Sequence, residues 1–229
     1  MPKAYDTWTV LPHRPLEKLE PNLWRVEGNL PRGKGTRVMT IAKRSTGGLV
    51  IHNAIALEDE LMKEIEAFGT PELLVVPNGY HRLDAKVFKQ RYPNMKVVCP
   101  TKTRKRVEDV VAVDGSYADA GDDADVKLAH LPGTKDGEGY LDIKSGEAHT
   151  LVFNDCLFNL PKLGGVLGFI MAPTGQPAVP RLAKWMLIKD APVFTSAMHA
   201  LGDTPGLRRI IVSHGKVIDQ APADVLRGV

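Results

Sequence analysis

The chain has 229 residues, 43% hydrophobic and 25% charged, an ordinary globular composition with enough length to bury a substantial core. A formal net charge of +3 sets up no large field, so neither nucleic acid nor a membrane is expected as a partner. No window supplies the roughly 20 apolar residues that span a bilayer, and the opening MPKAYDTWTVLPHRP has no apolar signal core, so a cytoplasmic protein is expected.

The first 20 residues are polar and proline-bearing and read as an arm over the surface. Leu23–Glu27, Arg37–Ala42 and Leu49–Ile51 follow as strands, the last two joined through Gly47 and Gly48 in a hairpin pattern. In ALEDELMKEIEAFG, the residues Leu57, Leu61, Ile65 and Phe68 fall at helical spacing and Gly69 ends the run. Leu73–Val76 is continuously apolar, the mark of a strand covered on both faces. A helix over Leu83–Arg91, a strand over Val97–Cys99 and a basic helix over Thr101–Val110 come next, then an Asp-rich loop from Asp114 to Asp125.

Val126–Leu131, Leu141–Ile143 and His149–Phe153 read as strands, with the glycine-rich PGTKDGEG between the first two. Residues 161–180 read as a long loop rich in Gly and Pro. Helices are expected over Pro180–Ile188 and Ala191–Leu201, a strand over Arg209–Ser213 and a short helix in the tail APADVLRG. No repeat or long linker divides residues 1–229, so one layered α/β domain is expected. Cys99 and Cys156 follow apolar runs and read as buried thiols.

Several apolar strands end in ionisable residues. LVI ends at His52, LLVVP at Asn78 with His81 and Asp84 just beyond, TLVFN at Asp155, and RIIVS at His214. In α/β folds the sheet holds strand ends rigidly while the loops vary, so reactive groups gather there. Imidazole and carboxylate suit zinc, iron or manganese, and a His with an Asp also suits acid–base chemistry. Each residue alone is more often a turn-former or cap than a ligand; their coincidence is the signal.

The order of these motifs resembles the metallo-β-lactamase superfamily over roughly Pro21–Gly215. That family has a four-layer αββα sandwich with its site at one edge of the sheets. Its motif, a strand followed by His-x-His-x-Asp-His, is rewritten in LLVVPNGYHRLDAKVF. Asn78 and Tyr80 stand at the first two histidines, Arg82 at the Asp and Leu83 at the last His; only His81, one place out of register, and Asp84 could compensate. The Pro-Gly-His turn appears as Pro132-Gly133-Thr134. The bridging Asp is kept at Asp155 in Asn154-Asp155-Cys156-Leu157-Phe158, and the last His at His214 in Ser213-His214-Gly215. His52-Asn53 stands where the family has an Asp. The combination is similar to a branch of the superfamily carrying Pro-Asn-x-x-His in place of the metal motif.

A dinuclear zinc centre needs about five or six protein ligands, and the resemblance leaves too few. Arg82 also places a cation at the former Asp position, where it would repel a metal. The leading expectation is a metal-free pocket in which Asp155 orients His214 and a small polar ligand binds, with Asn78, Tyr80 and Thr134 among its contacts. One alternative is a hydrolase with a single divalent ion held by His81, Asp155 and His214, with Asp84 or His52 as base or orienting group. Another is metal-independent His/Asp acid–base catalysis. An anion adjacent to Cys156 argues against a thiolate nucleophile. Lys102, Arg104, Lys105 and Arg106 read as a solvated helix face, and LGGVLGF as a loop that covers the pocket or meets a second subunit.

Overall fold

A computed structural model describes residues 3–31 and 35–229; the first two residues of the expected arm lie outside it. Among the described residues ten strands form two sheets. The first, in the order β1-β2-β3-β4-β5-β6, comprises β1 (Glu17–Glu20), β2 (Leu23–Asn29), β3 (Thr36–Lys43), β4 (Gly48–His52), β5 (Thr70–Val75) and β6 (Lys96–Val98). The second, in the order β10-β9-β8-β7, comprises β7 (Val126–His130), β8 (Gly139–Ser145), β9 (Ala148–Phe153) and β10 (Leu207–Val212). The helices are α1 (Asp59–Phe68), α2 (Ala85–Arg91), α3 (Arg104–Glu108), α4 (Gly165–Ile170), α5 (Arg181–Met186), α6 (Ala191–Gly202) and α7 (Pro222–Arg227).

The layering follows from strand alternation, because successive side chains of a strand point to opposite faces. Val38, Val50, Leu73 and Val75 of the first sheet meet Leu141, Ile143, Val152 and Ile211 of the second in one buried cluster between the sheets. Their neighbours in sequence point outward. Met39, Ile41, Leu49, Ile51 and Leu74 pack with Met62 and Ile65 of α1 and Val87 and Phe88 of α2. Leu151, Phe153, Ile210 and Val212 pack with Ala183 of α5, Phe194 and Met198 of α6 and Leu226 of α7. The result is the four-layer αββα sandwich expected from the sequence.

Strand direction places the site. β4, β5 and β6 run parallel, as do β9 and β10, so the ends of β4, β5, β9 and β10 deliver residues just beyond them. β3 is antiparallel to β4 and β8 antiparallel to β9, which brings the residues that begin β3 and precede β8 to the same neighbourhoods. A backbone bond from Val38 N to Ser213 O at 3.0 Å ties the sheets together there.

Four local expectations change. The arm ends in an edge strand, β1, paired with β2, and Trp8 is anchored by its Nε1 to Leu57 O at 2.8 Å and stacks on Phe88. The strand expected over Leu141–Ile143 runs over Gly139–Ser145, because all seven residues pair with β9 or β7. The expected basic helix is a 3-10 turn at Thr101–Thr103 followed by the short α3. The long loop at 161–180 contains α4. Both cysteines are free and buried, as expected.

Candidate metal centre

Three strand ends converge. His81 follows β5, Asp155 follows β9 and His214 follows β10. Asp155 Oδ1 lies 3.0 Å from His81 Nε2 and 3.5 Å from His214 Nε2, and the two Nε2 atoms are 3.3 Å apart. The side chains of Asp155 and His214 are each 20% exposed, so the cluster opens to the surface. Phe158 meets the His214 ring edge-on at 5.2 Å.

The outer nitrogens of both histidines are committed. His214 Nδ1 donates to the carbonyl of Thr36, at the start of β3, over 2.7 Å. His81 Nδ1 lies 3.1 Å from Asn53 Oδ1. The orientation of that amide is set independently, since Asn53 Nδ2 donates to Val38 O at 2.8 Å. Asn53 Oδ1 is an acceptor, so His81 Nδ1 carries a proton. Each neutral imidazole therefore has a bare lone pair at Nε2, and both lone pairs share one space with a carboxylate oxygen.

Without a cation or proton between them these three acceptors repel. The titration behaviour reflects it. Burial disfavours charge on His214, but the hydrogen bond and negative charge of Asp155 outweigh burial and raise its pKa. Burial likewise opposes ionisation of Asp155, yet His81 and His214 hold its pKa well below the usual carboxylate range.

Asp155 is fixed from behind. Asn78 Nδ2 donates to Asp155 Oδ2 at 2.7 Å and to Glu138 Oε1 at 2.9 Å, while Asn78 Oδ1 accepts from Tyr80 N at 2.8 Å. Glu138 Oε2 accepts from Asp155 N at 3.2 Å. Glu138 is fully buried, and burial followed by the nearby Asp155 charge pushes its pKa well up. Sequence reasoning missed Glu138: a single acid in a polar, glycine-rich loop carries no sign of burial. Asn53 and the Thr36 carbonyl were missed as orienting groups for the same kind of reason, since an amide after a strand and a backbone oxygen have no pattern of their own.

Other candidates fall elsewhere. Asp84 pairs with Arg37 inside the protein, and neither side chain reaches solvent to any extent. Asp84 was expected as a base or orienting group of the site; it lies instead in this enclosed ion pair. His52 is 1% exposed, close enough to feel the charges of His81 and Asp155, with burial first and His81 second pushing its pKa down to about 3. It is a neutral packed imidazole at neutral pH, and its Nε2 finds no hydrogen-bond partner among the described residues. Tyr80 lies at the surface with the Arg106 guanidinium 4.1 Å from its ring centre. The Thr134 hydroxyl is spent on the Leu131 carbonyl at 2.7 Å, within the turn. Arg82 turns away to the Arg106 carbonyl and the Asp109 carboxylate, so it does not occupy a metal position as expected from the motif. Cys156 is buried, and burial, Glu138 and Asp155 all raise its thiol pKa, as expected.

Three solved structures share the architecture. The DIM-1 metallo-β-lactamase superposes with a TM-score of 0.62 at 13% identity, over 96% of this chain and 97% of that one. A metallo-β-lactamase from Pontibacter korlensis gives 0.62 at 13%, over 93% and 97%. One from Hirschia baltica gives 0.59 at 13%, over 95% and 97%. The chain has the metallo-β-lactamase fold. No protein-family model and no curated protein matches its sequence. Within this metallo-β-lactamase fold, His81, Asp155 and His214 form a group that could hold a metal ion, their ligand atoms all within 4.8 Å of one another.

Zinc bonds of about 2.0–2.2 Å in tetrahedral geometry separate ligand atoms by about 3.3–3.6 Å. The observed separations of 3.3 and 3.5 Å fall in that range, and the 3.0 Å between His81 Nε2 and Asp155 Oδ1 lies just below it. Outer ring N–H groups bonded to a carbonyl and an amide oxygen are the arrangement that orients histidine ligands at metals. The residues fit one divalent ion.

Proposed function

We propose that this protein is a hydrolase working with one divalent metal ion, held by His81, Asp155 and His214, on a small polar substrate. The observation that carries the reading is the pair of Nε2 lone pairs facing Asp155 Oδ1, each set by an outer N–H bond to Asn53 or Thr36. Two histidines and a carboxylate leave positions open for water and substrate. When bound, such an ion polarises a carbonyl or phosphoryl oxygen and lowers the pKa of water. The chain's own residues do the rest. Asn53 and Thr36 hold the rings. Asn78 and the backbone contact to Glu138 hold the carboxylate. The exposed edges of Asp155 and His214 meet the substrate.

The zinc, iron and manganese content of protein purified without chelators tests this, together with titration of metal into the stripped protein. About one equivalent is expected, lost in His81→Ala, Asp155→Ala and His214→Ala. Content below about a tenth of an equivalent after supplementation overturns it. A second reading, a metal-free His–Asp pair that binds a small polar ligand or acts as general base, is favoured by the 3.0 Å His81–Asp155 bond. It predicts stabilisation by a small anion or metabolite with no metal present.

A further inference from the structure

From Cys156 to Lys189 the chain contains Lys162, Arg181, Lys184 and Lys189 and neither Asp nor Glu. The two helices in this stretch turn large apolar side chains into solvent. Val166 and Trp185 are each 77% exposed, Phe169 68% and Leu167 61%, with Ile170, Leu182 and Met186 also exposed. Soluble proteins rarely leave so many large apolar side chains together without a partner.

The backbone holds them outward. Gly168 is the buried residue of α4, and a Cβ there would lie 2.3 Å from the Leu163 carbonyl oxygen. The glycine side is therefore the packed side, and α4 cannot turn a bulkier residue inward without displacing that backbone. Arg181 fastens α5 to α4: its N donates to Ala172 O at 2.9 Å, its Nη1 to Phe169 O at 3.3 Å, and its guanidinium lies 4.6 Å from the centre of the Phe169 ring. Lys135 Nζ donates to Trp185 O at 3.1 Å, adding a cation at the border of the patch.

We infer that the α4–α5 face docks on an anionic lipid bilayer, with Val166, Leu167, Phe169 and Trp185 in the headgroup–acyl boundary and the lysines against lipid phosphates. Exposed apolar and aromatic residues interleaved with cations are the chemistry that binds such a surface, and Trp is suited to its boundary. Each Lys or Arg near an anionic leaflet adds to the attraction. A second copy of the chain is a poorer occupant. A two-fold pairing buries the same patch twice, bringing like charges together with no carboxylate in the stretch to offset them. The net charge of +3 conceals this local imbalance, because all 27 Asp and Glu residues lie outside the stretch. Among the described residues no helix is long and apolar enough to cross a membrane, so the contact is from one side. The stretch begins beside the candidate metal centre, where Phe158 meets His214.

Co-sedimentation of the full chain with vesicles of phosphatidylcholine alone, and of phosphatidylcholine and phosphatidylglycerol mixed about 3:1, tests the inference. Binding is expected to be at least about tenfold tighter to the anionic vesicles and to weaken as salt rises. Leu167→Ser with Trp185→Ser should cost a further factor of about ten or more, and Lys162→Gln with Lys184→Gln should remove the preference for anionic lipid. These residues lie at the surface, outside the His81–Asp155–His214 cluster, so melting temperature and metal stoichiometry should stay unchanged. Either reading can thus fail without the other. Absence of vesicle binding, or equal binding to both vesicles that ignores all four substitutions, overturns the inference. So does a dimer, seen by light scattering, that Trp185→Ser splits while no vesicle binds.

Discussion

His81 and His214 meet Nε2 to Nε2 at 3.3 Å beside Asp155, and each ring is held from its far side by an oxygen of a different strand end. That arrangement makes Asn53 a sharp test. Its backbone is left-handed, at φ 57°, so Asn53→Gly removes the side chain without straining the backbone. The variant frees His81 to rotate and to change tautomer. Loss of an orienting partner of this kind typically weakens metal binding by about 10–100-fold. The buried bond to Val38 O also goes, so about 1 kcal/mol of stability should be lost. Titrating zinc into stripped wild type and variant measures the first effect, and urea unfolding the second. Unchanged zinc affinity would remove Asn53 from the centre.

The same cluster dictates a pH dependence with opposite signs in the metal-free and metal-bound protein. His214 is raised in the folded state, so its contribution to metal-free stability is complete below about pH 6.5 and is lost as pH rises through the folded value. Asp155 is depressed, so its contribution is present above about pH 3.9 and is lost as pH falls through the folded value. Together they place the greatest metal-free stabilisation from this cluster between about pH 4 and 6.5. Metal needs the imidazoles unprotonated, and a raised His214 gives protons a head start against it. The zinc-induced rise in melting temperature should therefore be larger at about pH 8 than at about pH 6. Equal rises at both would show that no imidazole proton is displaced.

The layers of the fold were legible because short apolar, β-forming runs are a local signal, repeated over nine of the strands among the described residues. Met39 and Ile41 face one way and Val38 the other, and the same is true of Leu74 against Leu73 and Val75. Three of the site residues were legible as well, since Asp155 and His214 end apolar runs and His81 lies just beyond one. Their partners were not. Glu138 is brought to Asp155 by the antiparallel pairing of β8 with β9, and Asn53 reaches His81 across 28 positions of sequence. Arg82 misled because a motif position says nothing of side-chain direction: the carbonyl of Arg106 and the carboxylate of Asp109 draw the guanidinium to the helix α3 side. The edge strand β1 was hidden by its composition, Glu-Lys-Leu-Glu, which suits an exposed edge and resembles a loop.

Asp84 illustrates how burial decides between two roles for one carboxylate. Its side chain is wholly enclosed against Arg37, whose Nη1 also donates to Ala54 O at 3.0 Å. Burial raises the Asp84 pKa and Arg37 works against that rise. Asp84→Asn leaves the Arg37 cation buried without its counterion, a change that typically costs about 3–5 kcal/mol. The expected outcome is a large fall in the urea midpoint with an unchanged slope, while metal stoichiometry in the folded fraction stays near wild type. Arg37→Met with Asp84→Leu should recover much of the loss, because replacing both ions by apolar groups removes the desolvation penalty as well as the attraction. A stable Asp84→Asn variant that has lost metal would instead return Asp84 to the site.

Asn78 is the remaining hinge of the arrangement, since one amide nitrogen serves two carboxyl groups. It donates to Asp155 Oδ2 and to Glu138 Oε1, and its own oxygen is held by the Tyr80 N–H. Asn78→Ala deletes the shared donor and leaves two carboxyl groups facing each other, one of them fully buried. An unsatisfied buried group costs about 1–3 kcal/mol, and the loss should grow as pH rises. That sign follows from Glu138. Its folded pKa is raised, so its contribution is complete below about pH 4.3 and is lost as pH rises through the folded value; without the Asn78 donor, the ionised form has even less support. Asn78→Ala combined with Glu138→Gln, which takes away the buried titratable carboxyl, should be less destabilised at about pH 8 than Asn78→Ala alone, by about 1 kcal/mol or more. Urea unfolding of the two variants across the pH range measures the difference. Curves that run parallel at every pH would show that Glu138 takes up no proton on folding and that Asn78 acts on Asp155 alone.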